Sequence, residues 1–222
     1  MMGKQYRAII FDLDGTLIDN QASFVVAYQK LCDLYPTVLK KGSDEQRERL
    51  VRLHRVSNPQ AVFDDFTEKY SWRSAPSFSE YWKIWLKLYT DSAIPFPDSA
   101  DTLSYLKERG YRIGMITNGD SSLQRAKLSS SGLLPYFDHV IVSGEEGIDK
   151  PNPLLYERSA DALGVSLSEC LFVGDRNETD IAGAKNAGMD SFLVGAQRDL
   201  LGATYKATHL SALKEILTVG DL

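Results

Sequence analysis

The amino-acid sequence predicts an α/β fold, a doubly wound parallel sheet interrupted near its start by an all-helical segment. Three observations support this prediction. A short apolar run, Ile9–Phe11, is typical of a central strand that is covered on both faces. About 70 residues with apolar side chains at helical spacing follow it. From Arg112 onward strand and helix patterns alternate, and repeated strand-helix-strand units imply a parallel sheet.

The predicted all-helical segment runs from Asn20 to about Tyr89. Proline and glycine divide it into about four helices. The dividing residues are Pro36, Gly42, Asn58-Pro59 and Pro76. We interpret its aromatic residues mainly as core packing and its basic cluster as a solvated helix face. The aromatic residues are Tyr28, Trp72, Tyr81, Trp82 and Trp85, and the basic cluster is Arg47, Arg49, Arg52, His54 and Arg55.

The remaining elements belong to the predicted sheet and its helices. Asp98 is expected to cap a helix that runs to Arg109, and Gly110 is expected to end it. Later strands are predicted at Arg112–Thr117, Val140–Val142, Leu171–Val173 and Phe192–Val194, with helices near Ser122–Ser131, Pro153–Leu163 and Thr179–Ala187. We therefore expect an α/β core made of residues 1–18 and 93–222 and a helical domain made of residues 19–92.

Composition limits the possible functions. The chain has 222 residues, a formal net charge of -5 and 43% hydrophobic residues, which suits a sizeable core. A mild acidic excess argues against a nucleic acid polymer as the partner, because such binding needs a concentrated basic surface. Cys32 and Cys170 lie in unrelated contexts and suggest neither a disulfide nor a thiolate metal site. Without a leader pattern or a membrane-length apolar window, we expect a cytoplasmic protein that contacts no membrane.

Polar residues follow four of the predicted strands, at the edge where open α/β sheets bind ligands. They are Asp12 and Asp14 after the first strand, Thr117, Asn118 and Gly119 after the second, Lys150 in the loop after the third, and Asp175 and Asp180 after the fourth. Their separation along the chain means that local turn chemistry cannot explain the whole set. We therefore expect them to form one site.

Each of these residues also has an ordinary structural explanation when taken alone. Asp14 with the following glycine could form a turn, and Thr117 could begin a loop into a helix. In that case Ser121 and Gln124 would form the capping box of the helix. Lys150 could be a surface lysine. Only the convergence of four strands favours shared chemistry over these explanations.

Phosphoryl transfer to a carboxylate is a chemistry that requires such a set. Asp12 is the candidate nucleophile, because a carboxylate is already ionised near neutral pH and needs no adjacent base. A phosphate dianion cannot approach several carboxylates unless a hard divalent cation cancels their charge, and Mg²⁺ prefers oxygen ligands. Asp12 and Asp175 are the candidate side-chain ligands.

The other polar residues have complementary predicted roles. Asp14 is the candidate general acid toward the leaving oxygen and, afterwards, the general base for the hydrolytic water. Lys150 and the Thr117 hydroxyl are expected to bind phosphoryl oxygens, over which charge spreads in the transition state. Asp180 is expected to hold Lys150 or the water ligands of the metal.

With these motifs the sequence resembles the haloacid dehalogenase (HAD) superfamily of phosphohydrolases. The motifs occur in the order of that family: Asp12-Leu13-Asp14-Gly15-Thr16, Thr117-Asn118-Gly119, Lys150-Pro151, and Gly174-Asp175 through Asp180-Ile181 with Gly183-Ala184. Four ordered motifs across nearly the whole core make the resemblance specific.

The resemblance implies a Rossmann-like core, a helical cap inserted between the first two strands, and Mg²⁺ as cofactor. It implies that Asp12 is the phosphorylated nucleophile and that Asp14 also gives a backbone carbonyl to the metal. It further implies that Asn118 touches the phosphoryl group through its backbone or its side chain. The expected enzyme is a phosphatase that hydrolyses a small phosphomonoester through an aspartyl phosphate.

Other activities of the resembled family stay open as alternatives. A sugar-phosphate mutase of the β-phosphoglucomutase kind keeps both aspartates of the first motif, and a catalytically idle member would bind a partner instead. A dehalogenase is disfavoured by Asp14, because family dehalogenases replace that residue. Expected substrates are a nucleoside monophosphate, a sugar phosphate or a phosphoglycolate-like ester. The expected assembly is a monomer or a weak homodimer.

Overall fold

The computed structural model describes residues 5–53, 58–196 and 198–218. The chain divides into two compact units. One unit joins Met1–Asp19 to Ile94–Leu222, and the other is Asn20–Ala93. The assignment of the first unit as a catalytic core and of the second as a cap stays a prediction.

The first unit contains a parallel sheet of six strands, counted over the described residues. The strands are β1 (Ala8–Phe11), β2 (Arg112–Thr117), β3 (His139–Val142), β4 (Cys170–Gly174), β5 (Asp190–Val194) and β6 (Tyr205–Ala207). Their spatial order is β3-β2-β1-β4-β5-β6, and every neighbouring pair is parallel. Successive strands are added outward from the centre of the sheet, β1 to β3 on one side and β4 to β6 on the other. The predicted doubly wound α/β fold is therefore confirmed.

Strand β1 lies at the centre of the sheet because its residues are apolar without interruption. Ala8 through Phe11 have no exposed surface, as expected for a parallel strand that is covered on both faces. Ala8 and Ile10 belong to a core cluster that also contains Leu155 and Tyr156. Full burial of one such aliphatic side chain contributes about 1.5 to 3 kcal/mol to stability, so the central strand is firmly anchored. The residues that follow it are correspondingly fixed in position.

Within the described residues, five of the six helices of the first unit lie between strands in sequence, and the sixth follows β6. Numbered after the four helices of the second unit, they are α5 (Ser99–Glu108), α6 (Ser121–Ser130), α7 (Ser143–Glu146), α8 (Pro153–Leu163), α9 (Ala182–Ala187) and α10 (Ala212–Thr218). Gly110 ends α5 with a φ of 78°, as expected for a glycine stop. Asn152 caps α8 by accepting a hydrogen bond from the Leu154 N–H, and Pro153 is the first helical residue.

One predicted cap is wrong, and one structural alternative is excluded. Asp98 precedes α5 but makes no capping hydrogen bond, because its carboxylate accepts one from the Ser211 N–H at 2.8 Å instead. Helix α6 begins at Ser121, and its cap is Asp120, which accepts a hydrogen bond from the Leu123 N–H at 3.1 Å. Gln124 makes no capping box there, because its side chain is buried in the candidate site.

Two other features of the first unit lack a clear sequence signal. Strand β6 has three residues with partly exposed side chains, and it pairs only through β5, so it has no apolar run to reveal it. The predicted helix Thr179–Ala187 is instead a π-helical turn, Asn177–Ile181, followed by α9. Wide turns of this kind often occur at functional sites.

The second unit contains four helices within the residues that the structure describes, as predicted. They are α1 (Asn20–Leu34), α2 (Asp44–Arg52), α3 (Pro59–Lys69) and α4 (Phe78–Thr90). Four of the singled-out aromatic residues, Tyr28, Trp72, Tyr81 and Trp85, are buried in one core cluster, and Trp82 packs against it. Their interpretation as core is confirmed.

The basic cluster on α2 is balanced by acidic neighbours. Arg49 forms ion pairs with Glu45 and Asp65, and Arg47 pairs with Asp44, as expected for a solvated helix face. His54 and Arg55 lie outside the described residues. Among the helices that the structure describes, none is long and apolar enough to cross a membrane.

Candidate active site

The predicted polar residues converge at the carboxyl ends of the central strands. Asp12 directly follows β1, Thr117 ends β2 and Asp175 directly follows β4. Because β1 lies between β2 and β4, these three positions are neighbours in space. Lys150 reaches the same place from the loop before α8, as described next. The sheet topology therefore produces the convergence that the sequence predicts.

Lys150 is the buried cation of the site. Its Nζ lies 2.6 Å from Asp12 Oδ1 and 2.7 Å from Asp180 Oδ1, and its side chain is 2% exposed. Burial alone lowers the pKa of this ammonium, but the two carboxylates outweigh burial and raise the pKa above its ordinary value. The lysine therefore stays charged and fixes Asp12 relative to Asp180. A surface location for Lys150 is excluded.

Asp180 connects the lysine to the loop after β4. Its second carboxylate oxygen, Oδ2, accepts hydrogen bonds from the N–H groups of Asp175 and Arg176 at 3.1 and 3.0 Å. A side chain at Gly174 would collide with this carboxylate. The glycine at the end of β4 thus lets the π-helical turn bring Asp180 against the strand.

Asp12, Asp175 and Asp180 form a group that we call the carboxylate cluster. One carboxylate oxygen from each lies within 4.8 Å of the others. Three hard oxygen donors at this spacing suit Mg²⁺. Gly15, with a φ of 87°, leaves room for the cluster, because a Cβ there would collide with the Asp175 carboxylate. The residues present therefore fit the metal that the family resemblance implies.

The electrostatics of the carboxylate cluster favour a bound cation. Burial raises the pKa of Asp12 to about 7; nearby Lys150 opposes this shift and the charge of Asp180 adds to it. Burial, followed by the charge of Asp180, likewise raises the pKa of Asp175 to about 6. These raised pKa values mean that ionisation of the two carboxyls is unfavourable with only one lysine nearby, and a bound cation would favour the ionised forms.

The side chain of Asn118 forms hydrogen bonds with the backbone of Lys150. Its side-chain Oδ1 accepts a hydrogen bond from the Lys150 N–H at 2.8 Å, and its Nδ2 donates one to the Lys150 carbonyl at 3.1 Å. The amide thus joins the end of β2 to the lysine loop. A contact with a phosphoryl group would have to come from the Asn118 backbone while these hydrogen bonds persist.

Asp14 does not share the environment of Asp12. Its Oδ1 and Oδ2 lie 2.7 and 2.5 Å from the Nζ of Lys127. Gln124 Nε2 donates to Asp14 Oδ2 at 2.8 Å and to the Thr117 hydroxyl at 2.5 Å. The Asp14 carboxylate is therefore outside the carboxylate cluster. The predicted metal contact of Asp14 does not involve this carboxylate, because it uses the backbone carbonyl.

Gln124 and Lys127 are polar site residues that the sequence reasoning missed. Both are on α6, three residues apart, so they share one helix face. That face is buried: Gln124 is 4% exposed and Lys127 is 6% exposed. The available signal was the position of α6 directly after the polar end of β2, which brings its first two turns close to the strand ends.

An open parallel sheet with buried carboxylates and a buried lysine at its carboxyl edge defines a Rossmann-like α/β enzyme. The profile of the haloacid dehalogenase-like hydrolase family matches residues 6–188. The chain therefore belongs to this family, and it is a hydrolase. The resemblance noted in the four motifs and the predicted enzyme class are both confirmed.

Individual relatives support the same placement. A glyceraldehyde 3-phosphate phosphatase from Methanothermobacter thermautotrophicus is 30% identical over 195 residues, with 86% of each chain covered. A protein of the same name from Pyrococcus furiosus is 31% identical, covering 96% of this chain and 94% of its own. The crystal structure of a HAD phosphatase from Thermococcus onnurineus is 28% identical, with a TM-score of 0.67 and coverage of 97% and 100%.

Proposed function

We propose that this hydrolase is a Mg²⁺-dependent phosphatase that acts on small phosphomonoesters through an aspartyl phosphate at Asp12. The observation that carries the proposal is the buried contact of Lys150 with both Asp12 and Asp180, beside Asp175. A buried lysine fixed by two carboxylates, with a third nearby, suits an anionic substrate bound together with a cation.

Asp12, Asp175 and a backbone carbonyl of Asp14 would hold Mg²⁺. When bound, the ion would neutralise the carboxylates and the phosphoryl oxygens as they approach one another. Asp180 would keep its contact with Lys150 and with the loop after β4. These assignments give every member of the carboxylate cluster a distinct task.

The chain's own residues would carry out the two chemical steps. A carboxylate oxygen of Asp12 forms a bond to phosphorus while the bond from phosphorus to the ester oxygen breaks, and Asp14 gives its proton to that oxygen. Asp14 then takes a proton from water as the water oxygen bonds to phosphorus. The bond from phosphorus to Asp12 breaks, which releases phosphate and restores both carboxyl groups.

Lys150 and Thr117 would bind the phosphoryl oxygens, together with the backbone of Asn118. Thr117 is 1% exposed, and its hydroxyl accepts a hydrogen bond from Gln124, so its proton is directed away from that amide. The buried ammonium of Lys150 gives a fixed positive charge in surroundings where charge-charge interactions are strong.

For the substrate we propose a small sugar phosphate or a similar phosphomonoester. The support is that two relatives covering most of the chain are named glyceraldehyde 3-phosphate phosphatases. Residues 19–92 would act as the cap domain that sets the choice of ester, and residues 1–18 and 93–222 as the catalytic core. Substitutions at exposed positions of the helical unit should then change relative kcat/KM values among esters without abolishing hydrolysis.

A phosphate-release assay tests the proposal directly. The panel should include triose phosphates, hexose phosphates, phosphoglycolate and nucleoside monophosphates, each with Mg²⁺ and with EDTA. We expect Mg²⁺-dependent phosphate release from at least one ester by the wild-type protein and none by Asp12→Asn. The control is Asp161→Asn, which removes the same charge at an exposed position of α8. Retention of most activity by Asp12→Asn would refute the nucleophile. Isomerisation of a sugar monophosphate with its bisphosphate, without net phosphate loss, would favour a mutase.

A further inference from the structure

The geometry points to Lys127 and Gln124 as positioning residues that hold the Asp14 carboxyl group beside Thr117, where it acts on the leaving oxygen. This inference rests on the proposed function, because it concerns the acid-base step of ester hydrolysis. Neither residue belongs to the four motifs on which the family resemblance depends. Their assignment comes from the contacts that α6 makes.

The contact between Lys127 and Asp14 is directional and buried. The ammonium lies 2.7 and 2.5 Å from the two oxygens of the carboxylate, with side-chain exposures of 7% for the lysine and 22% for the aspartate. A cation centred on both oxygens restricts rotation of the carboxyl group about its χ2 angle. The aspartate retains enough exposure to reach a substrate atom.

Gln124 fixes the same carboxylate from a second direction. Its Nε2 donates to Asp14 Oδ2 and to the Thr117 hydroxyl, so one amide nitrogen lies between a candidate proton donor and a candidate phosphoryl ligand. Because the leaving oxygen and the other phosphoryl oxygens are attached to one phosphorus atom, the two groups need a defined separation. Gln124 supplies a direct link between them.

Lys127 must be distinguished from an ordinary structural ion pair. An ion pair that only stabilises the fold would reduce the activity toward every ester in the same proportion. A residue that positions Asp14 affects leaving-group departure most when the departing oxygen needs a proton. An alkoxide needs it, whereas a dinitrophenolate departs as a stable anion without help.

The first test therefore measures kcat/KM over a series of leaving groups, from 2,4-dinitrophenyl phosphate through phenyl phosphate to glycerol phosphate. The value kcat/KM excludes the later hydrolysis of the aspartyl phosphate. For Lys127→Met we expect a loss of about 10- to 100-fold with the alkyl ester and less than about threefold with the dinitrophenyl ester. Lys127→Arg, which keeps the cation, should restore part of the loss.

Matched variants define what the change means. In Asp14→Asn, kcat/KM should depend on the leaving group as steeply as it does in Lys127→Met. The double variant should have a kcat/KM less than about threefold below that of Asp14→Asn alone. Gln124→Leu should resemble Lys127→Met. Arg125→Met, on the same helix, removes an ion pair with Glu145 and should leave the dependence on the leaving group unchanged.

A second measurement needs no substrate and no metal. In EDTA, Lys127→Met should lower the thermal midpoint by at least about 2 °C more when residue 14 is aspartate than when it is asparagine. An equal decrease in both backgrounds would show that Lys127 does not act on the Asp14 carboxylate.

The outcomes separate this inference from the proposed function. If the wild-type protein hydrolyses no ester, both fail. If it hydrolyses esters but Lys127→Met leaves kcat/KM unchanged, or lowers it equally for all leaving groups, only the positioning role fails. A steeper dependence shared with Asp14→Asn, together with the stability coupling in EDTA, supports it.

Discussion

Magnesium binding to the carboxylate cluster is expected to weaken steeply as the pH falls from about 8 to about 5. The pKa of Asp12 is raised to about 7 and that of Asp175 to about 6, in each case first by burial. A metal ion binds the ionised form of both groups. Protons therefore compete with the ion below these pKa values.

The magnitude follows from the two pKa values. Each pH unit below the pKa of a competing carboxyl lowers the apparent affinity about tenfold. Over this range Asp12 contributes a factor of about 100 and Asp175 a factor of about 10, which together give about a thousandfold. If the Mg²⁺ concentration is far above the Kd at the higher pH, the thousandfold loss of affinity lowers the stabilisation of the folded protein by Mg²⁺ by up to about 4 kcal/mol. For a chain of this size that is roughly 8 to 16 °C in Tm.

The metal-free protein should respond to pH in the opposite sense. Asp12 and Asp175 have folded-state pKa values above the ordinary value of 3.8, so the folded state binds protons more tightly than the unfolded state. Their contribution to stability is fully present below pH 3.8. It is lost as the pH rises through about 7 for Asp12 and about 6 for Asp175. Glu145 and Glu169, whose pKa values are lowered to about 2 by hydrogen bonds, lose their contribution only at more acidic pH. The range from 5 to 8 therefore isolates the raised carboxyls.

The assay is a thermal midpoint titration with Mg²⁺ at three pH values across this range, with EDTA as the reference. Asp175→Asn should abolish most of the Mg²⁺ effect, and Asp161→Asn, an exposed change of equal charge on α8, should retain it. An equal increase in Tm with Mg²⁺ at both ends of the range would refute the reasoning. It would show that the ion binds without displacing protons from the cluster.

Three further substitutions test local packing and contacts. Gly15→Ala should weaken Mg²⁺ binding at least tenfold in the same titration, because the new Cβ collides with Asp175 and the φ of 87° disfavours alanine; unchanged binding would contradict this. Gly183→Ala should lower the free energy of unfolding in urea by about 1 to 3 kcal/mol through overpacking against Tyr156, and a more stable variant would refute the clash. Asn118→Ala should cost about 1 to 2 kcal/mol by the same measurement, because two hydrogen bonds to the lysine loop are lost; no change would show that they contribute nothing.

The sequence predicted most of the sheet because its central strands are buried on both faces. The bounds of β2 and α8 agree with the prediction at both ends, since uninterrupted apolar residues and an Asn-Pro start are strong local signals. Strand β6 was missed because a short edge strand needs no apolar run. The cap at Asp98 was wrong because a tertiary partner, the Ser211 N–H, takes its carboxylate.

The candidate site was predictable only as far as the strand ends. Topology alone brings Asp12, Thr117 and Asp175 together, so motif order was sufficient to group them. Lys127 and Gln124 were not predictable in this way, because their role depends on which face of α6 turns inward. A buried lysine at a helical position has no local sequence signature, and only its distance to Asp14 reveals it.

The two aspartates of the first motif have different proposed functions, and each contacts its own lysine. Asp12 and Asp14 are only two residues apart in the sequence, yet they do not share one set of partners. Instead Lys150 holds Asp12 among the other carboxylates, and Lys127 holds Asp14 outside them. Both lysines are buried, so solvent screens these ion pairs only weakly. One cation from a loop and one from a helix would thus reduce the repulsion between the proposed nucleophile and the proposed proton carrier of one short motif.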